Sequence, residues 1–136
     1  MTHLRTLQTR LGLAVLCSSL MALALTAHAA GSDTEIMTAA AHAGFASKAG
    51  TIDMVHAHMH HSINCLVGPG GEGFDAASLD PCKNSGNGAI PDTTDATQRA
   101  ALEKVAASLR AGLKDGDLAS ARKTAADAER SLQSMQ

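Results

Sequence analysis

The chain has 136 residues, a net charge of −2 at pH 7, and two Phe as its only aromatic residues besides histidine. Without a basic excess or stacking side chains it lacks the means to neutralise phosphates and bind bases, which argues against nucleic-acid binding. A chain of this length forms one small domain with a limited apolar core, so we expect a covalent cross-link or a bound ligand to add stability.

The N-terminal residues 1–29 have the pattern of a cleaved secretory signal peptide. Two arginines and no acid precede an apolar run at 11–27, and the sequence Ala-His-Ala ends at Ala29. The run is too short and wrongly flanked for a resident membrane span. Lipid attachment at Cys17 is not expected, because a leucine precedes it where a lipoprotein signal has a small residue. We therefore predict cleavage after Ala29 and one periplasmic or secreted domain over 30–136.

A first helix is predicted over 33–48. Ser32 followed by Glu35 has the spacing of a capping box at its start. Small and apolar residues at helical spacing form its inner stripe: Ile36, Ala40, Ala43 and Ser47. The short connection 49–51 predicts that the next helix returns antiparallel.

The second predicted helix, 52–67, carries four histidines within six residues. Its core-facing stripe consists of Ile52, Val55, Met59, Ile63 and Leu66. The opposite stripe consists of Met54, His58, His61 and Cys65, and an edge line consists of His56, His60 and Asn64. Two imidazoles one turn apart can reach the same metal ion, so the helix offers several ligand pairs.

The stretch 68–94 loses helical periodicity and contains all three prolines, so we predict a long ordered loop. In an oxidising compartment, Cys65 and Cys82 are expected to form a disulfide that ties this loop to the second helix. A disulfide closing about 17 residues stabilises the fold by roughly 3 kcal/mol.

Two more helices are predicted, over 95–113 and 117–135. Asp95 with Gln98 has the spacing of a second capping box, and Asp117 is the expected N-cap of the last helix. The apolar stripe of the first of these helices consists of Leu102, Val105, Ala106, Leu109 and Leu113, and that of the second consists of Leu118, Ala121, Ala125, Ala128, Leu132 and Met135. The predicted fold is therefore all-α: an antiparallel four-helix bundle of two hairpins, 33–67 and 95–135, joined by the loop 68–94.

Transition-metal binding is the function that the histidine cluster favours. The candidate ligands are His56, His58, His60, His61, His42 and Met54. In an antiparallel hairpin turning at Gly50, position 42 lies level with position 58, so His42 can supply a ligand from the neighbouring helix. Imidazole suits copper, zinc and nickel, and a thioether adds a preference for copper, so copper is favoured. Affinity is expected to fall as the histidines protonate below about pH 6.

Other interpretations compete with a metal site. Clustered histidines also suit a pH-responsive surface, His42 can be a structural histidine bonded to a carbonyl, and Met59 fits the core better than a ligand set. No haem is expected, because C-x-x-C-H is absent and the chain is poor in aromatic side chains. No residue set supports an enzyme. The alternative function is a non-enzymatic periplasmic structural or interaction module that uses the disulfide-tied loop 68–93 to contact a protein partner.

The chain resembles the bacterial exported small metal-binding proteins, which are short, alanine-rich and helical. The resemblance rests on the five histidines named above and on the paired-helix pattern at 33–67 and 95–135. It implies metal binding in the periplasm. Proteins of that type spread histidines over all helices, whereas the last two predicted helices here have none, so the resemblance implies one or two ions at most.

Overall fold

The structure is a computed structural model that describes the backbone of residues 21–136 and the side chains of residues 31–136. The predicted signal peptide, 1–29, falls outside the residues described with side chains, and 1–20 fall outside the description altogether. Cleavage and export therefore stay predictions.

The described part of the chain is all-helical and contains no strand. Its helices are α1 (Met21–Lys48), α2 (Ile52–Val67), α3 (Ala89–Asp92), α4 (Ala96–Gly112) and α5 (Leu118–Gln133). The single-turn helix α3 lies inside the stretch predicted to be an irregular loop. None of the helices in this part is long and apolar enough to cross a membrane.

Helix α1 begins well before the predicted start at Asp33. The preceding residues are rich in alanine and leucine, which are strong helix formers, and the helix continues back to Met21. The predicted capping box is therefore wrong. Glu35 does not close the start of a helix, because its Oε1 accepts a hydrogen bond from the Gly88 amide at 2.9 Å.

The starts of the other long helices follow their cap residues. The Thr51 side chain accepts from the Met54 amide, and the Asp95 carboxylate accepts from the Gln98 amide at 2.7 Å. Asp117 caps α5 in the same way. The Gln98 side chain donates to the carbonyl of Met135, two residues after the end of α5, and does not return to Asp95, so only half of the predicted second capping box forms.

The predicted apolar stripes form the core. Helix α1 packs against α2 and α5, α5 packs against α4, and α3 contacts α1, α2 and α4. Each long helix contributes buried residues from its predicted stripe: Ile36, Ala40 and Ala43; Val55, Met59, Ile63 and Leu66; Leu102, Val105 and Leu109; Ala121, Ala125, Ala128 and Leu132. Because most of these buried positions in α1 and α5 are alanine, the two helices can approach closely.

The loop after α2 is fixed to that helix by one covalent and one polar connection. Cys65 and Cys82 form the predicted disulfide. Asn64, which is buried, donates through Nδ2 to the carbonyls of Asp75 and Leu79 and accepts from the Asp75 amide through Oδ1. The loop is thus ordered against the helix that carries the histidines.

Candidate metal centre

Helix α2 points its histidine face away from the core because its other face is fully apolar. Val55, Met59 and Ile63 are fully buried, so the opposite stripe with His58 and His61 is turned outward. Both of these histidines are partly buried, since α1 covers one side of them. The two rings lie 5.4 Å apart between centroids, as expected for neighbours less than one turn apart.

His42 of α1 joins these two rings. Its Nδ1 lies 3.4 Å from the Nδ1 of His58, and its ring centroid lies 5.0 Å from that of His61. The expectation that position 42 lies level with position 58 therefore agrees with the structure. One ring nitrogen from each of the three histidines lies within 4.8 Å of the others.

This spacing is suitable for metal coordination. In a tetrahedral site with metal–nitrogen distances of about 2.0–2.1 Å, two ligand nitrogens lie about 3.3 Å apart. The 3.4 Å between His42 and His58 is close to that value. The buried Nδ1 of His61 has no hydrogen-bond partner among the described residues, so it is free to act as a ligand. Three imidazoles leave at least one coordination position for a further ligand.

The surroundings of His42 and His61 disfavour the charged forms of these two rings. Burial, together with the neighbouring His61 and His58, lowers the pKa of His42 to about 4, and burial is the largest of these causes. Burial also lowers the pKa of His61, with contributions from His58 and His60. Metal ions bind the neutral imidazole, so these shifts favour the form that binds.

Phe45 lies beside the cluster and was not predicted as part of the site. Its ring contacts His42 edge-to-face at 5.5 Å between centroids and lies 5.5 Å from His58, while half of the side chain remains exposed. The signal in the sequence is its position three residues after His42, on the same helix face. An apolar ring here shields one side of the imidazoles from water.

The structure gives His56 and His60 other partners and does not include them in the cluster. The Nε2 of His56 lies 3.0 Å from the backbone oxygen of Asp115, in the connection between α4 and α5. The Nδ1 of His60 lies 3.4 Å from the Asp75 carboxylate, without hydrogen-bond geometry. These two histidines connect α2 to other parts of the fold.

Met54 and Cys65 complete the predicted face. The Met54 side chain is half exposed and lies one turn before His58 on the same stripe. Cys65 is fully buried, and its sulfur is bonded to Cys82, so it offers no thiolate to a metal. At this site, the ligand atoms that lie together among the described histidines, cysteines and acids are therefore imidazole nitrogens.

Comparison with protein-family models, curated proteins and solved structures finds no match to this chain. The chemistry of the site is therefore the guide to function.

Proposed function

We propose that the chain is an exported, non-enzymatic protein that binds one transition-metal ion through His42, His58 and His61. The observation that carries the proposal is the grouping of three ring nitrogens, from two different helices, within 4.8 Å. A histidine with no role usually finds a carbonyl or water as its partner. Three that face one another, with a buried nitrogen left unpaired, form a donor set for a cation.

Copper is the ion we favour over zinc or nickel. Imidazole ligands suit all three metals, and the exposed thioether of Met54 on the same helix face adds a soft donor that favours copper(I). A partly exposed site with a free coordination position suits an ion that must be taken up and released. The proposed role is accordingly buffering, delivery or detoxification of the metal outside the cytoplasm.

The scaffold in this proposal is an antiparallel four-helix bundle. Two contacts between α1 and α2 support opposite chain directions: His42 lies against His58, and the Ser62 hydroxyl donates to the carbonyl of Ala39 at 2.9 Å. As the residue number rises along α2, the number of its partner on α1 falls. The second pair, α4 and α5, is joined by a similarly short connection.

Equilibrium dialysis against copper or zinc tests the site. We expect the wild-type protein to bind about one ion, and the variant with His42, His58 and His61 changed to Ala to bind none. The matched control is His56→Ala with His60→Ala, which removes two histidines from the same helix and should leave stoichiometry and affinity unchanged. Equal loss in both variants, or retained uptake in the triple variant, would reject this ligand set.

The alternative is a structural or interaction module that uses the loop 68–93. It is favoured by Leu79, which lies in the loop with 62% of its surface exposed. The two functions differ in a thermal melt, because a ligand that binds only the folded state raises Tm. No rise with copper or zinc, together with a co-purifying protein that is lost on Leu79→Asp, would favour the interaction module.

A further inference from the structure

A second cluster of potential ligands lies between α1 and the disulfide-tied loop, away from the histidines in sequence. Glu35 of α1 is fully buried. Its Oε1 accepts from the Gly88 amide at 2.9 Å, whereas its buried Oε2 has no hydrogen-bond partner among the described residues. A buried carboxylate oxygen without a donor is unfavourable unless something else neutralises it.

Asp92 brings a second buried carboxylate to the same place. Its two oxygens accept from the backbone amide and the side chain of Asn87 at 2.8 and 3.0 Å, and 6% of the residue is exposed. A Cβ on Gly86 would lie 2.2 Å from Asp92 Oδ2 and 2.8 Å from Glu35 Oε1. Both carboxylates therefore lie against Gly86 and close to each other, at a position where a side chain would not fit.

Two further oxygens belong to chain neighbours of these residues, Ser85 before Gly86 and Thr93 after Asp92. A Cβ on Gly31 would lie 3.1 Å from the carbonyl oxygen of Ser85 and 3.7 Å from Asp92 Oδ2, so both oxygens lie beside Gly31. The hydroxyl of Thr93, the residue after Asp92, is buried and has no hydrogen-bond partner among the described residues. The donors here are all oxygens, unlike the imidazole nitrogens of the histidine cluster.

The negative charge of the cluster is not balanced by a side chain. None of the ion pairs in the described part of the chain includes Glu35 or Asp92. The pKa of Glu35 is raised to about 7, chiefly by burial; the Gly88 amide opposes the rise, and the charges of Asp92 and Asp80 contribute to it. The surroundings thus penalise a second negative charge and would favour a cation beside it.

We propose that Glu35, Asp92 and the carbonyl of Ser85 form a calcium site that fastens the loop to α1. Calcium takes six to eight oxygen ligands from carboxylates, backbone carbonyls and water, and it tolerates irregular geometry. Magnesium requires near-octahedral geometry, and transition metals prefer the nitrogen donors at the other cluster. The ion would neutralise both acids and hold together α1 and the chain segment that follows Cys82.

Calorimetric titration of calcium into the full chain at pH 7.5, with thermal melts in calcium or a chelator, tests the proposal. We expect calcium to raise Tm by roughly 5 °C near saturation. Magnesium should have a smaller effect. Glu35→Gln keeps an acceptor for the Gly88 amide but removes the charge, and it should weaken calcium binding roughly tenfold or more, as should Asp92→Asn.

Three control variants distinguish calcium binding at this site from binding at the protein surface or at the histidine cluster. Asp33→Asn removes an exposed charge from the same helix and should leave the calcium response unchanged. The variant lacking His42, His58 and His61 should also keep it, so that failure of the histidine site and failure of this one are distinguishable. Gly86→Ala places a methyl group against the two carboxylates without changing the charge and should abolish the response.

The proposal is overturned if the wild-type protein shows neither heat of binding nor a rise in Tm. In that case the two acids share a proton or a water and bind no cation. It is equally overturned if Glu35→Gln and Asp92→Asn both respond to calcium as the wild type does, because the ion then binds elsewhere.

Discussion

Asn64→Ala should release loop residues 75–79 from α2, while the disulfide still joins the loop to the helix, and it removes no metal ligand. The Asn64 side chain makes three hydrogen bonds to loop backbone: with the Asp75 amide at 2.9 Å, the Asp75 carbonyl at 3.0 Å and the Leu79 carbonyl at 3.2 Å. Only 1% of the residue is exposed, so water cannot easily replace these bonds. At about 1 kcal/mol for each bond, the variant should lose roughly 3 kcal/mol of unfolding free energy.

Urea unfolding followed by circular dichroism measures this loss, and hydrogen exchange locates it. The Asp75 amide should lose protection, while amides in the middle of α5 should open only with global unfolding. Asn84→Ala is the matched control: Asn84 lies in the same loop, is exposed, and its replacement should change stability by less than about 0.5 kcal/mol. If Asn64→Ala also costs less than that, the proposed anchoring of the loop by this side chain is refuted.

Three further outcomes are expected. Replacing both Cys65 and Cys82 by Ser should lower the unfolding free energy by about 3 kcal/mol in urea titrations. An unchanged unfolding free energy would mean that the other loop contacts hold the loop in place without the disulfide. Met59→Ala, at a fully buried position between the helices, should cost roughly 2–5 kcal/mol in the same assay, whereas Met54→Ala, half exposed, should cost under about 0.5 kcal/mol. In the metal-free protein, NMR titration should find His42 neutral from pH 7 down to about 4, because burial disfavours its charged form. Its pKa in the folded state lies below the ordinary 6.5, so the stability it contributes is lost as the pH falls from 6.5 through 4. A measured pKa near 6.5 would contradict the buried placement of His42.

The helical elements could largely be predicted from the sequence because local signals agree with packing. The stripe of Val55, Met59 and Ile63 is buried as predicted, and Asp95 and Asp117 cap their helices. The predicted start of α1 was wrong because Ser32 and Glu35 match a capping pattern by spacing alone. A tertiary hydrogen bond from Gly88 uses the Glu35 carboxylate, and no local pattern encodes a partner so distant in sequence.

The candidate metal centre could be predicted only in part. Helical spacing placed His58 and His61 on one face, and the expected hairpin placed His42 opposite them. The partners of His56 and His60 could not be predicted, because Asp115 and Asp75 come from connections whose path the sequence pattern does not specify. For the same reason, the proximity of Glu35 to Asp92 could not be predicted, because it depends on the three-dimensional path of the loop.

X-ray absorption of the protein loaded with one equivalent of copper tests the central claim most directly. We predict a first shell with three imidazole nitrogens at about 2.0 Å, recognisable by scattering from the outer ring atoms, and loss of that pattern when His42, His58 and His61 are changed to Ala. A first shell without imidazole, or an imidazole pattern that persists in the triple variant, would contradict it.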